Sequence, residues 1–314
     1  MSGSTASPAS PASPSSSFSA SSSFATPLPT AARLSLDRSA VVATLRGAGC
    51  VFAEDEAALL LSTASTPDEL AVMVARRASG LPLEHVLGWV SFRGLRVAVD
   101  ERVFVPRRRT EFLVDRAAAI LAAGATVGDK ARSAVGWVVV DLCCGSGAVG
   151  AALAGAVRGP VDLHAADVDP VAVACARRNL TGPARITPAP ARVYTGDLYT
   201  PLPPVLRGRV DLLVANVPYV PTGRLGLLPP EARVHEPREA LDGGSDGLDV
   251  LRRVAAEATD WLAPGGSLLV ETSRAQAPLA GETFLHAGLV TTVATCEDLS
   301  ATVIAGRYVP GDEA

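Results

Sequence analysis

The stretch Val138-Val139-Val140-Asp141-Leu142-Cys143-Cys144-Gly145-Ser146-Gly147 constrains the chain more than any other. An apolar strand runs into a glycine turn, and Ala148, Ala151, Ala152 and Ala154 then follow at helical spacing. Gly145 and Gly147 let the backbone bend tightly and approach a ligand where a Cβ would collide. Around this unit the same order repeats. After a predicted helix over 111–123, candidate strands lie at 136–142, 161–166, 192–194, 210–215, 267–271, 290–294 and 301–305, with amphipathic helical stretches between them. Such alternation predicts an α/β fold with a doubly wound, mostly parallel sheet of seven strands. Its ligand would sit beyond the carboxyl ends of the strands, where the strand order reverses.

The loop residues narrow the ligand. A dinucleotide fingerprint would place glycine at position 143, where Cys143 stands. Asp141 would repel a pyrophosphate but attract the amino and sulfonium groups of S-adenosylmethionine. Asp141, Cys143, Cys144, Gly145, Ser146 and Gly147 are therefore the expected cofactor loop. The second strand ends at Asp167, near the spacing at which an acid accepts hydrogen bonds from ribose hydroxyls. Taken alone, Asp167 could equally cap the next helix, a role for which Asp169-Pro170 also competes. The third strand ends at Asp197 and Leu198, an acceptor for an adenine amino group and an apolar neighbour for its ring.

The remaining chain divides by composition. Residues 1–32 hold twelve serines and no charged side chain, too little apolar surface to offset ordering, and read as a disordered tail. They lack the charged and apolar regions of a secretory signal. Over 33–88, Val41, Leu45, Ala57, Leu59, Leu60, Leu61, Leu70, Val72 and Val74 recur at three-to-four spacing and predict a small helical domain. Residues 89–105 alternate around the polar pair Asp100 and Glu101 and predict a β-hairpin linking that domain to a catalytic domain over 106–314. No apolar run reaches the roughly 18 residues of a membrane helix. The formal charge of -4 does not advertise a general affinity for nucleic acid. The cysteines, Cys50, Cys143, Cys144, Cys175 and Cys296, form no CxxC pair, which argues against a disulfide framework and a zinc site and favours a reducing cytoplasm. His85, His164, His235 and His286 have no ligand spacing, and no metal site is expected.

The fourth strand of the sheet leaves through Asn216-Val217-Pro218-Tyr219. This turn resembles the signature of amino methyltransferases that act on planar nitrogens, adenine N6 or the glutamine side-chain amide. Asn216 and the Val217 carbonyl would accept the two N–H bonds, Pro218 would hold Val217 extended, and Tyr219 would stack on the planar group. Asn216 would also border the cofactor. The flanks decide between the two nitrogens. The runs 80–88 and 92–95, Val105-Pro106-Arg107, Thr110-Glu111, Glu236-Pro237-Arg238-Glu239-Ala240-Leu241-Asp242-Gly243-Gly244 and Asp246-Gly247-Leu248 resemble the HemK-like protein-(glutamine-N5) methyltransferases over about residues 35–308.

The resemblance implies a Rossmann-like, seven-stranded class I methyltransferase domain using S-adenosylmethionine, with the helical domain recognising a protein substrate. In characterised members that substrate is a class 1 peptide chain release factor, methylated on the glutamine of its GGQ loop. Arg107 and Glu236 fall in motifs expected at the substrate side. The chain departs from the family at Val217, where proline is usual, at Cys143, where glycine is usual, and at Arg107-Arg108-Arg109-Thr110-Glu111, where Arg-Pro-Glu-Thr-Glu is usual. The last replaces an acid with a base, and the run 107–109 could hold an acidic substrate or be a solvated loop. Two rivals stay open: an N6-adenine methyltransferase acting on RNA or DNA, and a catalytically silent binding module with this fold.

Overall fold

The computed structural model describes Met1 and residues 37–126, 136–188 and 191–311. Apart from Met1, the serine-rich tail read over residues 1–32 lies outside the described residues. From residue 37 on, the described residues belong to one compact unit.

Four helices come first: α1 (Arg38–Gly47), α2 (Ala53–Thr63), α3 (Pro67–Ala78) and α4 (Leu83–Leu87). Local chemistry sets their starts. Asp37 accepts the Ala40 N–H at 2.8 Å, and Thr66 accepts that of Glu69 at 3.1 Å while the Glu69 carboxylate reaches back to the Ser65 N–H at 2.7 Å. Val41, Leu45, Ala57, Leu60, Leu70, Met73 and Val74 bury together. Val72, expected inside, faces solvent at 59% exposure because Leu70, Met73, Val74 and Arg77 form the inward stripe of α3.

The hairpin is shorter than expected and turns elsewhere. β1 (Trp89–Phe92) pairs antiparallel with β2 (Leu95–Ala98), and the turn is Arg93-Gly94, not Asp100-Glu101. Both turn residues have positive φ, as the type I′ form of a two-residue hairpin loop requires. Val99, Val103 and Val105 are buried, but outside any strand.

The rest is the doubly wound sheet. In chain order it runs α5 (Glu111–Thr126), β3 (Trp137–Leu142), α6 (Ala148–Ala156), β4 (Val161–Asp167), α7 (Pro170–Leu180), β5 (Arg192–Thr195), β6 (Val210–Ala215), α8 (Pro230–His235), α9 (Asp249–Trp261), β7 (Leu262–Thr272), α10 (Ala277–His286), β8 (Leu289–Cys296) and β9 (Ala301–Tyr308). The spatial order is β5-β4-β3-β6-β7-β9-β8, with β9 antiparallel to both neighbours and the other pairs parallel. All seven expected strands are present. Alternate residues feed opposite faces. Val139, Leu212 and Leu269 pack with Leu113 and Leu153 of α5 and α6, whereas Val140, Leu213 and Leu268 pack with Leu251 and Phe284 of α9 and α10. The order reverses between β3 and β6, so the loop after β3 and the turn after β6 open into one crevice.

Candidate active site

That crevice is a cavity of about 770 Å³, and of the expected site residues only Gly147 stands off its wall. Gly147 instead starts α6 in the left-handed conformation, and a Cβ there would meet Leu180 Cδ1 at 2.8 Å. Its role is to make the turn and let α6 pack on α7. Asn179 of α7 ties the loop to the hairpin, its side-chain amide donating to the Ser146 carbonyl at 2.9 Å and the Ala98 carbonyl at 2.8 Å.

Three acids follow three strand ends. Asp141 is fully buried and accepts the Gly150 N–H at 2.8 Å. Burial, with Asp167 nearby, pushes its carboxyl up to about 7 against the pull of that hydrogen bond. Asp167 accepts the Gly145 N–H at 2.8 Å on one oxygen and that of Asp169 at 2.9 Å on the other. The cap of α7 is Asp169, which accepts the Val171 N–H at 2.8 Å, so Asp167 is free of that duty. Asp197 lies exposed at the cleft edge, paired with Arg253 at 2.5 Å. Leu198 beside it is buried. Ser146 Oγ is buried at the cleft with no partner among the described residues.

The turn after β6 is strapped from several sides. The Val220 N–H donates to the Leu241 carbonyl at 3.0 Å and the Gly243 N–H returns to the Val220 carbonyl at 2.9 Å, so the run 236–244 lies along the turn. Within the run, Asp242 accepts from Thr222 Oγ1 at 2.6 Å and from Arg238 at 2.9 Å. Gln276 donates to the Tyr219 carbonyl at 2.9 Å and to the Asp246 carbonyl at 2.9 Å. Gly247 must be glycine here: its φ is +80° and a Cβ would lie 2.3 Å from the Tyr219 carbonyl oxygen. Two acceptors in this braced turn stay unpaired. Among the described residues nothing donates to the Asn216 side chain or to the buried Val217 carbonyl.

Tyr219 hydroxyl donates to Glu271 Oε1 at 3.1 Å, and burial followed by the Glu271 charge holds the phenol above its ordinary pKa, so it stays a donor. The sequence pattern assigns no role to Glu271 or Gln276, although a charged residue closing the apolar run 268–270 is a visible signal. The arginine run divides in a way neither expectation covered. Arg107 donates to both oxygens of buried Glu236 at 2.6 Å, Arg109 Nε donates to Glu271 at 3.1 Å, and Arg108 is exposed. Arg107 and Glu236, expected to face substrate, line the cleft as partners of each other. Burial pushes the Glu236 carboxyl up while Arg107 pulls it down, with a net rise.

The histidines play no part in the cleft. Among the described residues none lines it: His85 bonds the Val103 carbonyl at 2.9 Å, and His164 stacks on Tyr194.

A family described as Methyltransferase small domain matches residues 112–228. The release factor glutamine methyltransferase of Geobacter sulfurreducens is 39% identical over 215 residues, covering 67% of this chain and 68% of that one. That of Mycolicibacterium smegmatis is 36% identical over 250 residues, covering 78% and 82%. The chain belongs to the release factor glutamine methyltransferase family. The fold is wider than this family. The hMettl16 catalytic domain, solved in complex with MAT2A 3'UTR hairpin 6, superposes with a TM-score of 0.52 at 15% identity, over 76% of this chain and 83% of that one.

The departures from the usual pattern of release factor glutamine methyltransferases now have structural readings. Cys143 takes φ of 53°, a left-handed conformation that costs a residue with a Cβ on the order of 1–2 kcal/mol, a cost that glycine at this position would not carry. Desolvation holds the thiols of Cys143 and Cys144 above their ordinary pKa, as protonated packing groups. Val217 offers its carbonyl whatever its side chain. Arg109, itself 44% exposed, reaches from the surface to buried Glu271, so the added base has an acidic partner within the chain.

Proposed function

We propose that this chain methylates the side-chain amide nitrogen of a protein glutamine, that its substrate is the GGQ glutamine of a class 1 peptide chain release factor, and that Asn216, Val217, Pro218 and Tyr219 position the amide. The observation that carries the reading is the pair of unpaired acceptors, Asn216 and the Val217 carbonyl, in a turn otherwise tied down.

The cleft suits S-adenosylmethionine. Asp141 offers a buried carboxylate with one backbone donor to a cationic group, Ser146 Oγ has an unused hydroxyl, and Asp167 has lone pairs to spare for ribose hydroxyls. Asp197, paired with Arg253, would contribute at the adenine edge only by sharing its carboxylate. When bound, S-adenosylmethionine supplies a methyl group on a sulfonium sulfur, open to attack by nitrogen.

An amide nitrogen is a poor nucleophile because its lone pair is delocalised. The chain's contribution is therefore geometric. Asn216 and Val217 accept the two N–H bonds and so fix the direction of the nitrogen lone pair. Tyr219 stacks on the amide plane, with its hydroxyl anchored by Glu271. A base is not required, since the nitrogen becomes acidic on methylation.

Two observations favour a release factor as substrate. The relatives named above carry that substrate in their names over most of their length. The helical bundle also borders the cleft, since Arg77 of α3, bonded to Glu56 of α2 at 2.6 Å, reaches Glu231 of α8 at 2.6 Å on the cleft wall. The test is incubation with labelled cofactor, purified release factor of the same organism and its total RNA, read by mass spectrometry. Label on the GGQ-bearing peptide is expected. Label in RNA, or on a different protein from a lysate with none on the release factor, would overturn the substrate.

A further inference from the structure

Glu271 closes β7 with its side chain only 2% exposed. Taking a carboxylate that far out of water is costly unless a cation and hydrogen bonds compensate it. Among the described residues the one cation within ion-pair distance is Arg109, whose Nε lies 3.1 Å from Oε1. The same oxygen accepts the Tyr219 hydroxyl at 3.1 Å, while Oε2 is buried with no partner among the described residues. The Arg109 guanidinium also lies 5.8 Å from the centre of the Tyr219 ring. Arg109 and Tyr219 therefore meet on one buried acceptor.

We propose that Arg109 is a positioning residue for methyl transfer: by compensating the buried charge of Glu271 it keeps that carboxylate as the acceptor that fixes the Tyr219 ring beside Asn216. This rests on the reading of Tyr219 given above. Arg109 acts through Glu271 and touches no reacting atom. Without it, Glu271 loses the cation that holds Oε1 in place, and its side chain shifts or draws in water, which loosens the Tyr219 ring while the cofactor loop at 141–147 is left alone.

The experiment uses the full chain and measures kcat and KM for the release factor, and cofactor affinity by calorimetry, for Arg109→Met, Glu271→Gln, the two together, and Tyr219→Ala. Arg109→Met should lower kcat by about 10- to 100-fold, with cofactor affinity within about threefold of the parent. In the Glu271→Gln background, where the amide still offers an oxygen and no charge needs compensation, the same change should alter kcat by less than about twofold. That background buries no unpaired charge, so it decides the matter even if Arg109→Met alone does not fold. An equal loss in both backgrounds would show that Arg109 acts independently of Glu271, and an unchanged kcat for Arg109→Met would likewise overturn the inference. If Tyr219→Ala collapses kcat while Arg109→Met does not, only this inference fails. A silent Tyr219→Ala would sink the reading of the turn itself.

Discussion

Asp167 holds the loop that precedes it by twenty-two residues: its Oδ2 accepts the Gly145 N–H at 2.8 Å while its Oδ1 accepts that of Asp169. One side chain thus shapes the glycine turn and presents its remaining lone pairs to the cleft. Asp167→Ala is expected to weaken cofactor binding by about 10- to 100-fold, the worth of hydrogen bonds to a charged acceptor. Calorimetric titration with S-adenosylmethionine checks this. An unchanged affinity would mean that the carboxylate serves the loop backbone alone.

Asn216 has the opposite character, a polar side chain with nothing to hold among the described residues. Asn216→Ala should therefore lower kcat by about 100-fold or more through lost orientation of the amide, with cofactor affinity within a fewfold of the parent. Lost cofactor binding with little change in kcat would reassign Asn216 to the cofactor.

Much of this site was legible because it is built on period. Seven apolar runs, most of them separated by helices, predict the sheet, and the ends of β3, β4, β5 and β6 place side chains at the cleft without any knowledge of contacts. What escaped depends on contacts the chain order does not display. Arg109 and Glu271 are 162 residues apart, and neither residue alone says that the other neutralises it. The hairpin turn was misplaced because Asp100-Glu101 is the more polar pair, whereas Arg93-Gly94 lacks the Asn or Asp that usually marks a tight turn. Val72 was read inward from its spacing alone, but the stripe of α3 also includes Arg77, a charged residue buried by its pairing with Glu56 and Glu231.

Arg107 and Glu236 make a stability prediction. The Glu236 side chain is 1% exposed and Arg107 is 32% exposed, so removing the arginine leaves a buried carboxylate whose remaining donor among the described residues is the Val105 N–H. Arg107→Met is expected to destabilise the fold by roughly 2–3 kcal/mol, below the range for a wholly buried pair because Arg107 is partly solvated. Combining it with Glu236→Gln should restore about half of the loss or more. Urea denaturation measures both. A single substitution without effect would show that the pair contributes nothing net.

Asp141 links folding and cofactor binding to pH in opposite directions. Burial raises its carboxyl from the ordinary 3.8 to about 7 in the folded chain. Between those values the native state binds more protons than the unfolded state, so the stability this group contributes at acid pH is lost as pH rises through about 7. A cationic ligand beside Asp141 favours the carboxylate, so binding should release a proton wherever the free enzyme holds one. Affinity for S-adenosylmethionine is therefore expected to rise between about pH 6 and 8, and calorimetry in buffers of different ionisation heat should detect the released proton. Asp141→Asn should lower the affinity and flatten that rise, while also removing the loss of stability between about pH 4 and 7. A wild-type affinity that stays level across the interval would show that the Asp141 carboxylate does not face the cofactor's cationic groups.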